Sequence, residues 1–125
     1  MLFIIAILII FLLVLVLLLS HRKPRLTMAL CKKACQSILD TQHLDPAHSI
    51  LESHKIFVAT LRPMTSKYLA AEIIQIFANR FPNQSKIWYF HKLRNKIAHE
   101  VEINVNPGQA EESRKAFCRA IKSVL

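Results

Sequence analysis

The sequence predicts an all-α protein in which a single N-terminal transmembrane helix precedes a small four-helix, up-and-down bundle. The first observation is that residues 2–19 are an unbroken run of Leu, Ile, Val, Phe and Ala. The second is that apolar residues recur at helical spacing through the rest of the chain, between short breaks rich in Pro, Asn and Asp. The third is that the 125 residues include one glycine and no strand-rich stretch, which is typical of a helical bundle.

Residues 1–20 are predicted to form a transmembrane anchor. As a helix, the apolar run is about 27 Å long, which is close to the hydrocarbon thickness of a bilayer. A cleaved signal peptide is the alternative, but no Lys or Arg precedes the run and no small-x-small cleavage site follows it.

Residues 21–26 form a basic juxtamembrane linker that contains Arg22, Lys23 and Arg25. Positive charge after the apolar run predicts a single-pass inner-membrane protein, with its N-terminus outside and its C-terminal domain in the cytoplasm. The same cations are suited to contact anionic lipid headgroups.

The helical domain is predicted over residues 27–125, and its first three helices have recognisable ends. Thr27 can cap the first helix, Asp45-Pro46 begins the second, and Arg62-Pro63 ends the second. Thr65 or Ser66 is predicted to open the third helix, which extends to about Phe81. The apolar faces of the three helices comprise Leu30, Ala34, Cys35, Ile38 and Leu39, then Ile50, Leu51, His54, Phe57, Val58 and Leu61, then Tyr68, Leu69, Ile73, Ile76, Phe77 and Phe81.

Ser85 is predicted to cap a fourth helix over residues 86–100, and one more helix follows it. Apolar residues alternate with polar ones over 101–105, so a short extended segment is an alternative there. The last helix is predicted from about Gln109, after the turn sequence Asn106-Pro107-Gly108. Its apolar side comprises Ala116, Phe117, Ala120, Ile121 and Val124.

The charge of the chain lies entirely outside the anchor. All 17 Lys and Arg and all 8 Asp and Glu follow residue 21, so the domain and linker carry the whole +9. This excess favours a polyanionic partner, either RNA or the membrane surface, although a plain basic domain is the alternative. The cations are spread over the chain, and no aromatic residues alternate with them as in base-stacking surfaces.

Neither the cysteines nor the scattered histidines have metal-ligand spacing. Cys31 and Cys35 are one helical turn apart with no second pair, and Cys118 stands alone, so we interpret all three as reduced structural thiols. The remaining histidines of the first half, His43, His48 and His54, are predicted to be surface or hydrogen-bonded polar residues. The sequence therefore predicts no metal and no cofactor.

The fourth helix carries polar groups that packing alone would not select. Arg94 falls on its apolar side, and a guanidinium that keeps its proton is costly to bury without a partner. It therefore either pairs inside the bundle, with Glu72 or Glu100, or lies at a second interface. His91, Asn95 and His99 follow one another at a spacing of four, in one row. Arg94 and His99 are about 140° apart on an ideal helix, so they converge only if the helix bends or a partner covers both.

The string Arg94-Asn95-Lys96-Ile97-Ala98-His99 resembles the motif of the HEPN (higher eukaryotes and prokaryotes nucleotide-binding) superfamily, an Arg with a polar residue after it and a His several positions later. The resemblance covers roughly residues 27–125 and implies a metal-independent endoribonuclease whose site forms where two motif helices meet in a homodimer. It assigns catalysis to Arg94, Asn95 and His99, with His91 and Lys96 as accessory residues. A toxin subgroup of this family is similar in having Tyr two positions after the His, where this chain has Val101, so that subgroup is disfavoured.

The chemistry of the three motif residues agrees with RNA cleavage. A histidine can move protons near neutral pH, and an arginine can hold phosphate oxygens through two parallel hydrogen bonds. Asn95 can orient either of them, so the set suits attack of a ribose 2′-hydroxyl on the neighbouring phosphate. The alternatives are a non-catalytic, membrane-tethered interaction or dimerisation domain, and a basic domain that binds anionic lipid. An antitoxin or other regulator is a further partner that the sequence does not identify.

Overall fold

The computed structural model describes all 125 residues, and its only regular secondary structure is helical, without strands, which confirms the all-α prediction. Its helices are α1 (Leu2–Ser20), α2 (Met28–Asp40), α3 (Pro46–Leu61), α4 (Ala70–Phe77), α5 (Gln84–His99) and α6 (Pro107–Ser123). Short 3-10 turns follow three of them, at Thr41–His43, Arg62–Met64 and Ala78–Arg80. Helix α1 is fully exposed, and by its length and composition it could cross a membrane.

The four long helices of residues 28–123 form an up-and-down bundle. The central pair is α3 and α6, and both α2 and α5 pack against each of them. Helices α5 and α6 are antiparallel, because the Asn83 side chain reaches the carbonyl of Ala116 while Gln109 reaches the hydroxyl of Tyr89. The domain also contains the short helix α4, which contacts both α3 and α5.

The bundle has two ends that matter for function. At the linker end, residues 23–26 lie beside the turn after α3, helix α4 and the C-terminus of the chain. At the motif end, the turn after α2 meets the start of α3, and Arg114 of α6 donates a hydrogen bond to Ser49. The last turns of α5 also lie at the motif end, because α5 runs antiparallel to α6.

The core is built around stacked aromatic rings. Phe57 of α3 and Phe117 of α6 have ring centroids 4.8 Å apart, and Phe90 of α5 lies 6.2 Å from Phe117. All three side chains are almost fully buried. Burial of each ring contributes about 1.5–3 kcal/mol relative to exposure, so these contacts join α3, α5 and α6 strongly.

Helix starts follow local capping, with one exception. Thr27 accepts a hydrogen bond from the amide of Leu30, as predicted, and Asp45 accepts one from the amide of His48. The prediction that Ser85 caps α5 is wrong, because α5 begins at Gln84 and the preceding residue makes no capping bond. Helix α6 begins at Pro107 rather than near Gln109, because Asn106 and Gln109 form a reciprocal capping box.

The third predicted helix is shorter than its apolar spacing suggested. The hydroxyl of Thr65 accepts a hydrogen bond from the amide of Lys67, which closes a local turn instead of a helix start. Tyr68 and Leu69 therefore precede α4 and are 73% and 62% exposed, and Ile76 on α4 is 50% exposed. The prediction of these three residues as core is wrong.

Two other details of the predicted helices differ from the structure. Leu30 and Leu39 lie at the edges of the buried face of α2 and are exposed, so the core face is narrower and comprises Cys31, Ala34, Cys35 and Ile38. Residues 101–105 form no strand, since they return from α5 to α6 without an extended partner.

Candidate functional site at the end of α5

Arg94 is half-buried on α5 and forms no ion pair within the chain. Its Nη1 donates a hydrogen bond to Oδ1 of Asn95 at 3.1 Å. Of the two alternatives for Arg94, internal pairing with Glu72 or Glu100 is therefore absent. The guanidinium keeps most of its donors free for another group, and carboxylates or phosphates are the groups that match its geometry.

Asn95 joins Arg94 to two histidines. Its Nδ2 lies 3.4 Å from Nε2 of His91, and Nδ1 of His91 lies 2.9 Å from Nε2 of His54 on α3. Since the amide donates to Nε2 of His91, the proton of this neutral imidazole belongs on Nδ1, from where it donates to His54. The result is a continuous chain of hydrogen bonds from the core of α3 to the guanidinium.

The histidine pair is buried and electrically neutral. His54 and His91 are 3% and 9% exposed, and the centroids of their hydrogen-bonded rings are 5.2 Å apart. Burial, together with the smaller effects of the neighbouring His91 and Arg94, lowers the pKa of His54 to about 3. Burial also lowers the pKa of His91, with a second contribution from the Arg94 charge. Arg94 is therefore the positive charge of this network at neutral pH.

His99 is the last residue of α5 and lies apart from the network. Its imidazole is exposed and makes no hydrogen bond within the chain, and Lys96 is likewise exposed without an ion pair. Helix α5 is uninterrupted to His99, so the five-residue spacing leaves this imidazole about 140° around the helix from Arg94. Of the predicted site residues, the structure joins Arg94, Asn95 and His91 and leaves Lys96 and His99 in solvent.

His54 belongs to this site, although no functional role was predicted for it from the sequence. The sequence does show that His54 falls within the apolar face of α3. A polar side chain buried there needs a hydrogen-bonding partner. That partner, His91, is 37 positions away, and pairing it with His54 requires knowing how α3 faces α5. Helical spacing and the motif resemblance predict His91 as a neighbour of Asn95 and an accessory residue, but neither identifies His54 as its partner.

A second guanidinium without an ion pair lies at the motif end. Arg114 of α6 donates to Oγ of Ser49 at 2.7 Å, and Ser49 shares a hydrogen bond with Thr41. Thr41 also lies 3.1 Å from Oγ of Ser53, so this buried hydroxyl cluster satisfies its own groups. Arg114 remains half-buried and retains donors that face no carboxylate within bonding distance.

The structure brings together no group of three metal-ligating side chains. The principal clefts of the single chain are lined by residues other than Arg94 and His99. The three cysteines are buried and unpaired, and burial raises the pKa of Cys35 to about 11.

The chain gives no significant match to any protein-family model, to curated proteins or to solved structures. The resemblance to the HEPN motif therefore depends on one short stretch of α5.

Proposed function

We propose that the chain is a membrane-anchored, HEPN-like endoribonuclease that cleaves RNA without a metal, at a site shared by two copies. The observation that carries the proposal is the half-buried Arg94 guanidinium, which lacks a carboxylate and is oriented by Asn95. The cost of burying such a cation is recovered when an anion binds. A phosphodiester is the anion that suits a chain of net charge +9.

The hydrogen-bond chain supports a positioning role for the two buried histidines. His54 is fixed in the core, His91 is fixed by His54, and Asn95 is fixed by His91. Because each group has a defined partner, Asn95 can hold Arg94 in one orientation before substrate arrives. His91 is thus a positioning residue in this proposal, and Lys96 is an exposed cation available to the RNA backbone.

The separation of His99 from Arg94 supports a site made by two chains. The two residues point in different directions along a regular helix, so one copy alone does not present both to one phosphate. In a two-fold dimer through α5, the Arg94 of one copy can face the His99 of the other. The same contact would cover the half-buried guanidinium.

The proposed reaction is an in-line transfer at one phosphodiester. His99 takes the proton of the ribose 2′-hydroxyl while the bond from O2′ to phosphorus forms. The bond from phosphorus to O5′ breaks, and the leaving oxygen takes a proton from water. The hydroxide ion formed takes the proton from the His99 imidazolium, which restores the neutral imidazole. Arg94 stabilises the negative charge that develops on the equatorial oxygens. The products are a 2′,3′-cyclic phosphate and a free 5′-hydroxyl.

The proposed location is the inner membrane, with α1 as a retained single-pass anchor. The length and apolar composition of α1 support a membrane span, and the cations of the linker support a cytoplasmic domain. RNA is then available to the motif end, and an inhibitory partner or antitoxin would act on the same exposed residues.

The test uses the full chain in detergent micelles with a fluorescently labelled single-stranded RNA oligonucleotide and EDTA. Cleavage is expected for the unmodified protein and is expected to be lost in Arg94→Ala and in His99→Ala. The matched controls, Arg119→Ala and His43→Gln, replace exposed residues outside the site and should cleave normally. Mass spectrometry of the products should find cyclic phosphate ends.

A mixing experiment tests the shared site directly. Arg94→Ala and His99→Ala proteins, each inactive alone, are unfolded and refolded together so that mixed dimers form. If one cleft takes its groups from two copies, part of the activity returns in the mixture. Absence of cleavage by the unmodified chain, or undiminished cleavage by both variants, would refute the nuclease.

The exposure of His99 favours a second candidate, a membrane-tethered interaction domain without catalysis. In that case α5 still pairs with another helix, and Arg94 binds a carboxylate of the partner. Chemical cross-linking of the full chain would then depend on Arg94 and would be unaffected by His99→Ala, with no RNA cleavage at any enzyme concentration.

A further inference from the structure

The loop between α3 and α4 exposes apolar side chains at the linker end, where the anchor joins the domain. Tyr68 and Leu69 are mostly exposed, and Ile76 on the following helix is half exposed. These residues share one end of the bundle with Leu26, which is partly buried against the core. We infer that this surface, residues 67–69 with Ile76, docks into the headgroup region of an anionic bilayer, the one that α1 is proposed to span.

The linker of residues 21–26 is short enough to keep the linker end of the bundle close to the membrane. Helix α1 ends at Ser20, and Leu26 is already packed on the domain. Six residues span at most about 20 Å even when fully extended. The linker end therefore cannot move farther than that from the end of the membrane helix, and the inference rests on the anchor proposed above.

The charges around the apolar residues match an anionic surface. Six cations lie in the linker and at this end of the bundle, and none of them forms an ion pair within the chain; they are Arg22, Lys23, Arg25, Arg62, Lys67 and Arg80. The opposing charges are Glu72 on α4 and the C-terminal carboxylate of Leu125. Basic residues next to a membrane span are attracted to anionic lipids over about a Debye length.

Tyr68 is held in an arrangement suited to an interface. The guanidinium of Arg62 lies 4.4 Å from the centroid of its ring, and the Arg62 Nε donates to the Tyr68 carbonyl. The loop therefore presents an aromatic ring with a cation behind it, rather than a free chain. Tyrosine has an apolar ring and a polar hydroxyl, which is why it concentrates at the level of the headgroups.

The occupant of the surface is a lipid bilayer rather than a protein because the exposed apolar groups are few and are surrounded by cations. A bilayer accepts single apolar side chains at its headgroup boundary without a matching groove. The same groups would anchor the domain in one orientation, with the motif end of α5 directed away from the membrane.

The test places a tryptophan at three positions of the full chain, reconstituted in vesicles of phosphatidylcholine and phosphatidylglycerol with brominated acyl chains, which quench nearby indoles. Tyr68→Trp reports the loop, Phe11→Trp reports the anchor, and Val101→Trp is the matched control because Val101 is fully exposed at the motif end. Trp88 is present in every variant, so the unmodified protein supplies the baseline.

Quenching above the baseline is expected for Tyr68→Trp and Phe11→Trp and not for Val101→Trp. Adding Lys67→Glu with Arg80→Glu should abolish the quenching at position 68, whereas the equal charge change in Lys92→Glu with Lys96→Glu, at the other end, should leave it intact. Quenching at position 11 with none at position 68 would overturn the docking and leave the anchor standing. No quenching at position 11 would overturn both, and neither outcome would bear on RNA cleavage.

Discussion

Replacement of His54 by glutamine is expected to make the domain less sensitive to mild acid. The folded state holds this imidazole neutral, since burial lowers its pKa to about 3 from the ordinary 6.5. In the unfolded chain the same group takes up a proton as the pH falls through about 6.5. The unfolded state therefore binds more protons than the folded state below neutral pH, and the stability falls as the pH is lowered.

The size of the effect follows from these two pKa values. Between pH 7 and pH 5 the unfolded state becomes almost fully protonated at this site while the folded state does not, which costs about 2 kcal/mol. At pH values below 3, the total decrease in the free energy of unfolding due to His54 would reach about 5 kcal/mol. The lowered pKa of His91 acts in the same direction, so the total loss should exceed the share of His54 alone.

The assay is urea denaturation of the full chain in micelles, followed by fluorescence of Trp88, whose ring lies against His91. The free energy of unfolding is measured at pH 7 and at pH 5. His54→Gln keeps a hydrogen-bonding side chain but no titrating group, so its loss between these values should be smaller by about 2 kcal/mol. His43 lies in an exposed turn, so His43→Gln should show the same decrease in the free energy of unfolding as the unmodified protein.

An equal decrease in the free energy of unfolding between pH 7 and pH 5 in the unmodified protein and in His54→Gln would refute the reasoning. Carboxylates do not produce the same result, because Asp45 and Glu111 have pKa values lowered from an already acidic range by their hydrogen bonds. Their stabilisation is present above about pH 5, beyond the ordinary pKa values of both groups, and is lost only as the pH falls further.

Three further predictions concern the core, a helix cap and the thiols. Phe117→Ala should lower the free energy of unfolding by about 3–5 kcal/mol in urea denaturation, because the ring is fully buried against Phe57; a loss no larger than that of the exposed Tyr68→Ala would contradict it. Asn106→Ala should cost about 1 kcal/mol in the same assay, because it removes the capping box of α6, whereas Asn106→Asp should retain most of the stability. Iodoacetamide at pH 8 should leave the three cysteines unmodified in the folded protein, as judged by mass spectrometry, because burial raises the pKa of each thiol; reaction at the same rate with and without urea would exclude this.

Elements with strong local signals were predictable from the sequence. Helix α3 has its N-cap at Asp45 and ends at Leu61, where Arg62-Pro63 disfavours continuation, and both limits agree with the structure. Helix α4 was not predictable in the same way. Its apolar spacing extends back to Tyr68, but the hydrogen bonds of Thr65 and Arg62 hold the preceding loop in another conformation. Periodicity alone does not include such competing side-chain bonds.

The candidate site was predictable within α5 and not beyond it. The row of His91 and Asn95 follows from helical spacing, and their hydrogen bond confirms it. The partner of His91 lies on another helix, so its identity depends on the packing of α3 against α5. The absence of a carboxylate beside Arg94 likewise depends on tertiary structure, because both Glu72 and Glu100 were available in the sequence.

The proposed anchor and the proposed dimer constrain each other. Two copies inserted in one membrane with the same orientation can be related only by a two-fold axis along the membrane normal. Arg94 and His99 lie at the motif end, opposite the linker end where α1 joins the domain. Two α5 helices that cross near their last turns would bring these residues together close to such an axis while the anchors stay apart. A contact between antiparallel α5 helices would instead place the two anchors on opposite sides of the dimer. A His99→Cys variant in reconstituted vesicles separates the two arrangements. A cross-link between the two introduced cysteines is expected when the last turns of α5 meet, and no cross-link is expected when the helices are antiparallel.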